Sequence, residues 1–93
     1  MKTYQLFIDG QYVDPANGEW FESVDPYRGK AWAKIPRGSA ADVDAAAKAA
    51  NEAMWRGPWS KMTASARGKA MRKLGDLVAA NAERLAEIEV RDN

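Results

Sequence analysis

The hydrophobic period changes once along this chain, at "RGSAAD" (37–42), and the change dictates strands first and helices afterwards. Ahead of it, "YQLFIDGQYV" sets Asp9-Gly10 between two short β-prone runs. That dipeptide predicts a two-residue hairpin, because both turn positions favour positive φ. After the polar bend "DPANGE", the runs "WFESV" and "AWAKI" flank "DPYRG", a turn opened by proline and closed by glycine. They predict a second antiparallel pairing. Phe21, Ser23 and Asp25 alternate with Trp20, Glu22 and Val24, and the pattern leaves open which face is buried. Residues 1–36 therefore read as β-hairpins.

Beyond the switch, Ser39 is a helix N-cap and Asp42, three residues on, completes an approximate capping box. Val43, Ala46, Ala47, Ala50 and Met54 then share one face of a first helix over 39–56. Gly57-Pro58 ends it. Thr63 caps a second helical region, 63–93, whose apolar stripe runs through Leu74, Leu77 and Val78. Gly68 and Gly75 weaken that helix by about 1 kcal/mol each relative to alanine, a cost that either close packing against another backbone or tolerance at the surface would explain. Asn81 is placed to cap a fresh helix, so a break is expected near 81. Strands followed by helices make an α+β chain: antiparallel hairpins, then two or three helices.

Composition limits what such a chain can do alone. Of its 93 residues 46% are hydrophobic, but 18 of those are alanine and only 12 are valine, isoleucine or leucine. Burial stabilises in proportion to apolar area, so this is a sparse core for one small domain. Trp20, Trp32, Trp55 and Trp59 supply much of the bulk and fit contact with other protein better than ligand stacking. With no cysteine and no histidine, the chain has no thiolate, no imidazole base, and neither of the commonest zinc ligands. Its glycines form neither a dinucleotide fingerprint nor a phosphate loop. Glu83 and Glu87, one turn apart, read as surface charge, since the helical di-metal motif also requires histidine.

Net charge is +1, so no strong field draws nucleic acid or anionic membrane. Arg56, Lys61, Arg67, Lys69, Arg72 and Lys73 form a basic run beside Trp55 and Trp59, but Asp76, Glu83, Glu87 and Glu89 follow and offset it. We read the run as a solvated helix face, with no nucleic-acid partner. No run approaches the ~20 apolar residues of a membrane span, so a cytoplasmic chain is the expectation.

Together these stretches resemble a known family. "FIDGQYVDPANGEWFESVDPYRGKAWAKIPRGSAADVDAAAKAA" resembles the start of the NAD(P)-dependent aldehyde dehydrogenase superfamily, whose members open "FI-x-G-x-W", then "x-x-V-x-P-x-x-G" and "V-x-x-A-x-x-A-A". "PWSKMTASARGKAMRKLGDLVAANAERLAEIEVRDN" resembles the family's next helices, which run into "D-N-G-K-P". Tyr12 stands where tryptophan is usual, Asp25 where asparagine is common, and Met71 and Gly75 where leucine and alanine are frequent. The likeness spans the whole chain and implies a partial piece of the α/β aldehyde dehydrogenase fold.

What the resemblance implies is a longer enzyme. A cysteine thiolate attacks the aldehyde, hydride passes to NAD or NADP, and a glutamate-activated water releases the acid. In the family those residues and the cofactor site lie downstream of the segment matched here. No catalytic or cofactor-binding residue is therefore expected in this chain, and no cofactor for the chain alone. The expected partners are the remainder of the polypeptide and, at full length, further copies in a homo-oligomer. The sequence closes on "LAEIEVRDN", a helix lacking the glycine or proline that marks a helix end, and the family's Gly-Lys-Pro would supply both. The expectation is an N-terminal piece, inactive alone. A free-standing α+β interaction module remains the alternative.

One family feature reaches into these residues. Several members bind a monovalent cation through a backbone carbonyl of the "x-V-x-P" stretch and the aspartate of "D-N-G-K-P". Those positions are Ser23, Val24 and Asp92 here. The competing reading has Asp92 cap or pair with a neighbouring element.

Overall fold

A computed structural model describes all 93 residues, Met1–Asn93. The order is β1 (Lys2–Thr3), β2 (Leu6–Ile8), β3 (Gln11–Val13), β4 (Trp20–Asp25) and β5 (Lys30–Pro36). Helices follow: α1 (Ala40–Trp55), α2 (Pro58–Lys61), α3 (Ala64–Ala80) and α4 (Ala82–Asp92). This is the α+β arrangement expected from the period switch.

β2 and β3 form the hairpin at Asp9-Gly10, with Ile8 opposite Gln11 and Leu6 opposite Val13. Asp9 has φ 54° and Gly10 φ 73°, the pair of positive values that a two-residue turn of the favoured twist requires. β4 and β5 pair antiparallel around the "DPYRG" turn. The Asp25 side chain accepts from the backbone N–H groups of Tyr27 and Arg28, and Gly29 N–H donates to the Asp25 carbonyl. This closes the turn with local bonds.

Two elements were not foreseen. β1 joins β5 in parallel, Lys2 opposite Ala33 and Thr3 opposite Lys34, giving a three-stranded sheet of order β1-β5-β4. Between Ser23 and Val24 the β4–β5 register slips: Ser23 faces Ala33 while Val24 faces Ala31, so Trp32 is the extra residue of a bulge. Tyr4 meets the Trp32 ring edge-on at 6.1 Å between centroids, and its carbonyl accepts from Trp20 Nε1 at 3.1 Å. The second unforeseen element is α2, a single turn opened by Pro58. At Gly57, before it, a Cβ would lie 3.2 Å from the Ala53 backbone, a tight approach that glycine avoids.

The helix signals resolve largely as expected. Ser39 N–H and Oγ both donate to the Asp42 carboxylate, and Ser39 carbonyl accepts from Val43 N–H, starting α1. Thr63 Oγ1 accepts from Ala66 N–H at 3.1 Å, starting α3. The break near 81 is present, but Asn81 does something other than cap the next helix. Its side-chain amide donates to the Leu77 carbonyl at 2.8 Å, a second bond to an acceptor that the Asn81 backbone N–H also reaches, at 3.1 Å.

The anticipated core faces are another correction. α1 turns Ala46, Ala49, Ala50 and Ala53 toward the β2–β3 hairpin, where they border Phe7 and Ile8. Val43 and Met54, assigned to the same stripe, stay 66% and 49% exposed. Only four residues are buried: Pro15, Asp25, Ala33 and Asp42. The radius of gyration is 16.7 Å over extents of 48 × 34 × 16 Å, whereas a compact domain of this length has about 12 Å. The chain is an open arrangement with little interior.

Candidate functional site

Ser23 and Asp92 lie 69 positions apart, and folding brings them together. β4 carries Ser23 at the bulge, α4 lays its C-terminal turn along β4, and the Ser23 hydroxyl donates to an Asp92 carboxylate oxygen at 2.5 Å. Ser23 is half-buried and its neighbour Val24 is 50% exposed. A bulge disrupts the ladder locally, which is how a strand turns a backbone group toward a partner other than its neighbour.

The side-chain groups brought together here are a hydroxyl and a carboxylate, both hard oxygens, with a single formal negative charge. That chemistry suits a monovalent cation better than a divalent one, which usually draws two or more carboxylates. No group of three histidine, cysteine, aspartate or glutamate side chains converges anywhere in the chain. Glu83 and Glu87 remain a pair on α4 without a third ligand.

Beside Asp92, a cleft of about 510 Å³ opens between the β4–β5 turn and α4. Asp25, Arg28, Glu87 and Arg91 line it, with Tyr27 at its rim, 94% exposed. Arg28 Nε lies 4.0 Å from Asp25. The cleft holds carboxylates beside guanidinium groups and is lined by no thiol or imidazole.

The most strongly held carboxylate is Asp42. It is buried and accepts from Ser39 N–H at 2.8 Å, from Ser39 Oγ at 3.0 Å and from Ala16 N–H at 3.0 Å. The Ser39 backbone donor is the main cause of its lowered pKa, with Ala16 and the Ser39 hydroxyl adding to it and burial opposing. Sequence reasoning found the bond to Ser39 but missed Ala16, because nothing local signals a partner 26 residues away. Its role is structural: it pins the start of α1 to the loop after β3.

The tryptophans divide by position. Trp20 has its acceptor, whereas Trp32 Nε1 is buried without one. Trp55 is 70% exposed. No helix is long and apolar enough to cross a membrane.

Comparison with known proteins relates this order of short strands and helices to a family. It is 42% identical over 92 residues to aldehyde dehydrogenase family 2 member C4 of Arabidopsis thaliana, covering 99% of this chain and 18% of that protein. It is 43% identical over 88 residues to the NADP/NAD-dependent aldehyde dehydrogenase PuuC of Escherichia coli, covering 95% of this chain and 18% of that protein. It also superposes on the NAD+ complex of aldehyde dehydrogenase from Bacillus cereus with a TM-score of 0.95 at 36% identity, over 98% of this chain and 18% of that one. The chain thus spans less than a fifth of the length of these relatives, and its fold is that of the N-terminal part of the aldehyde dehydrogenase fold. With the aldehyde dehydrogenase family model matching residues 12–93 as well, the chain belongs to that family.

Proposed function

We propose that this chain serves as the N-terminal segment of an NAD(P)-dependent aldehyde dehydrogenase that oxidises an aldehyde to a carboxylic acid through a cysteine thiohemiacetal. The observation that carries the reading is the superposition on the Bacillus cereus NAD+ complex over 98% of this chain, coupled with the absence of cysteine. The nucleophile, the general base and the cofactor site then lie in the part of the family polypeptide that this chain does not match. Its own contribution is scaffolding: the β4–β5 sheet and the helices supply surfaces for the rest of the enzyme.

The same reading assigns Ser23, Val24 and Asp92 to a monovalent cation site. The donor chemistry and the Ser23–Asp92 juxtaposition support it. Within the 93 residues Asp92 already has a polar partner in Ser23, so the ion would share the carboxylate and tighten α4 against β4. A cytoplasmic, homo-oligomeric whole enzyme completes the proposal.

The test is a fusion in which these 93 residues replace the matching segment of the Bacillus cereus enzyme. A soluble fusion that forms NADH from an aldehyde supports the reading, and a folded but inactive one overturns it. The alternative of a free-standing interaction module finds little support in a chain with four buried residues.

A further inference from the structure

The bend "DPANGE" sets an asparagine directly before a glycine, Asn17-Gly18. In that order the side-chain amide lies open to its own main chain, because glycine has no Cβ to shield the nitrogen that follows the asparagine. A Cβ added at Gly18 would meet nothing within 4 Å, and both residues are exposed, so water reaches the amide. The fold adds a feature that the dipeptide alone does not carry. Asn17 Oδ1 accepts from the Glu19 N–H at 3.0 Å. Glu19 is itself held, its carbonyl accepting from the Arg37 N–H at 2.9 Å just beyond β5. A fixed backbone donor thus faces the oxygen on which negative charge builds when the amide carbon is attacked, and such a donor stabilises the tetrahedral intermediate. One contact opposes the reaction. Gly18 N–H donates to the Pro15 carbonyl at 2.8 Å, and that bond must open before the nitrogen attacks.

We infer that Asn17-Gly18 is a self-modifying site, where the asparagine deamidates without an enzyme. The Gly18 nitrogen gives up its proton to solvent and bonds to Asn17 Cγ. The Cγ–Nδ2 bond breaks, Nδ2 takes a proton and leaves as ammonia, and a five-membered succinimide remains. Water then opens the ring. Opening at Cγ leaves aspartate at position 17. Opening at the Asn17 main-chain carbonyl carbon leaves isoaspartate, in which the chain runs through Cγ and is longer by one methylene. Water is the only co-reactant, and nothing is oxidised or reduced. The isoaspartyl product matters because of what the bend carries. Ala16, between the two residues that close it, donates its N–H to Asp42 at 3.0 Å and so ties the start of α1 to the loop after β3. The longer chain separates Gly18 N–H from the Pro15 carbonyl. It also places a new carboxylate one residue from the N–H that Asp42 uses, and like charges repel. Ageing at Asn17 therefore loosens α1.

The experiment ages the 93-residue chain at mildly alkaline pH and maps its peptides by mass spectrometry, with a methyltransferase specific for isoaspartate as the label. Conversion at Asn17 should run at least tenfold faster than at Asn51 or Asn81, whose following residues, Glu52 and Ala82, lie in helices. It should quicken as pH rises, since attack needs the nitrogen without its proton. It should also stay within threefold of its rate in urea, because the Glu19 donor offsets the closed bend. In the purified isoaspartyl chain the Ala16 amide should cease to follow the titration of Asp42, while the Ser39 amide continues to follow it. Asn17→Ser cannot deamidate and offers a hydroxyl to the Glu19 N–H, so after the same ageing both amides should still follow Asp42. Conversion at Asn17 no faster than at Asn51 would overturn the inference. So would a rate in urea more than threefold above the native one, or an isoaspartyl chain in which Ala16 still follows Asp42.

Discussion

The Ser23 hydroxyl donates to the Asp92 carboxylate, joining the bulged strand β4 to the last residue of α4. No other side-chain hydrogen bond links the region after residue 56 to the strands. The bond is exposed and charge-assisted, so its net contribution is about 1 kcal/mol. Ser23→Ala in the fusion should therefore lower the thermal midpoint slightly. It should raise amide exchange in α4, read by mass spectrometry, while β2–β3 is unaffected. Unchanged exchange in α4 would show that apolar packing alone holds it.

The proposed monovalent ion between the same groups would give a saturable signature. Potassium or sodium added to the fusion at constant ionic strength should raise its thermal midpoint, because a ligand of the folded state stabilises by mass action. Asp92→Asn should abolish that rise, by removing the one carboxylate of the set. An equal response in both proteins would mean that the salt acts elsewhere.

The Asp9-Gly10 turn is the most local feature of the fold and the simplest to perturb. Gly10 sits at φ 73°, where a β-branched residue costs about 1–2 kcal/mol. A two-stranded hairpin is marginal in water, so Gly10→Val should abolish the Phe7–Tyr12 ring contact, 5.0 Å between centroids. Loss of the Phe7–Tyr12 NOE in the 93-residue chain checks this. Gly10→Asn, tolerant of positive φ, should keep it.

That turn was legible because its signal is two residues long and its cause is steric. The Ser39–Asp42 box, the Thr63 cap and the break at Asn81 were legible for the same reason: each bond is made within one helical turn. What could not be read is long-range. Lys2 and Thr3 carry no pattern that announces a parallel partner in β5, and the Trp32 bulge depends on a register set by the whole β4–β5 ladder. The facing of α1 was misjudged because half of its residues are alanine, so a small rotation changes the buried set without changing its apolar character. The Ser23–Asp92 pairing came within reach only through family resemblance, and the Ala16–Asp42 bond through nothing local.

Asp42 makes the attachment of α1 sensitive to acid. Its folded pKa lies below the ordinary carboxylate value, chiefly through the Ser39 N–H, so its contribution is complete above the unfolded pKa near 3.8. As pH falls below that value the unfolded chain takes up the proton first, and the contribution is lost progressively until the folded carboxyl is itself protonated. The amide resonances of Ser39 and Ala16 should titrate together, with a midpoint below the ordinary aspartate value. Asp42→Asn should remove the common titration. Separate midpoints for the two amides would mean that they do not share this carboxylate.

The isolated 93-residue chain should melt without a sharp transition and form no NADH from any aldehyde. Cooperativity needs a shared interior, and Ala33, fully enclosed, has only Pro15, Asp25 and Asp42 as buried company. Helices of this length are marginal in water unless a face is packed, and α3 packs little beyond α4. Hydrogen exchange should therefore be fastest along α3 and slowest in β4–β5, where the ladder surrounds Ala33. Joined to the remainder of the Bacillus cereus enzyme, the same α3 amides should become protected by at least a hundredfold. A sharp melt with uniform protection in the isolated chain would contradict this and favour a self-sufficient interaction module. NADH formation by the isolated chain would contradict the assignment of its chemistry to other residues, since no thiol is present to form the thiohemiacetal.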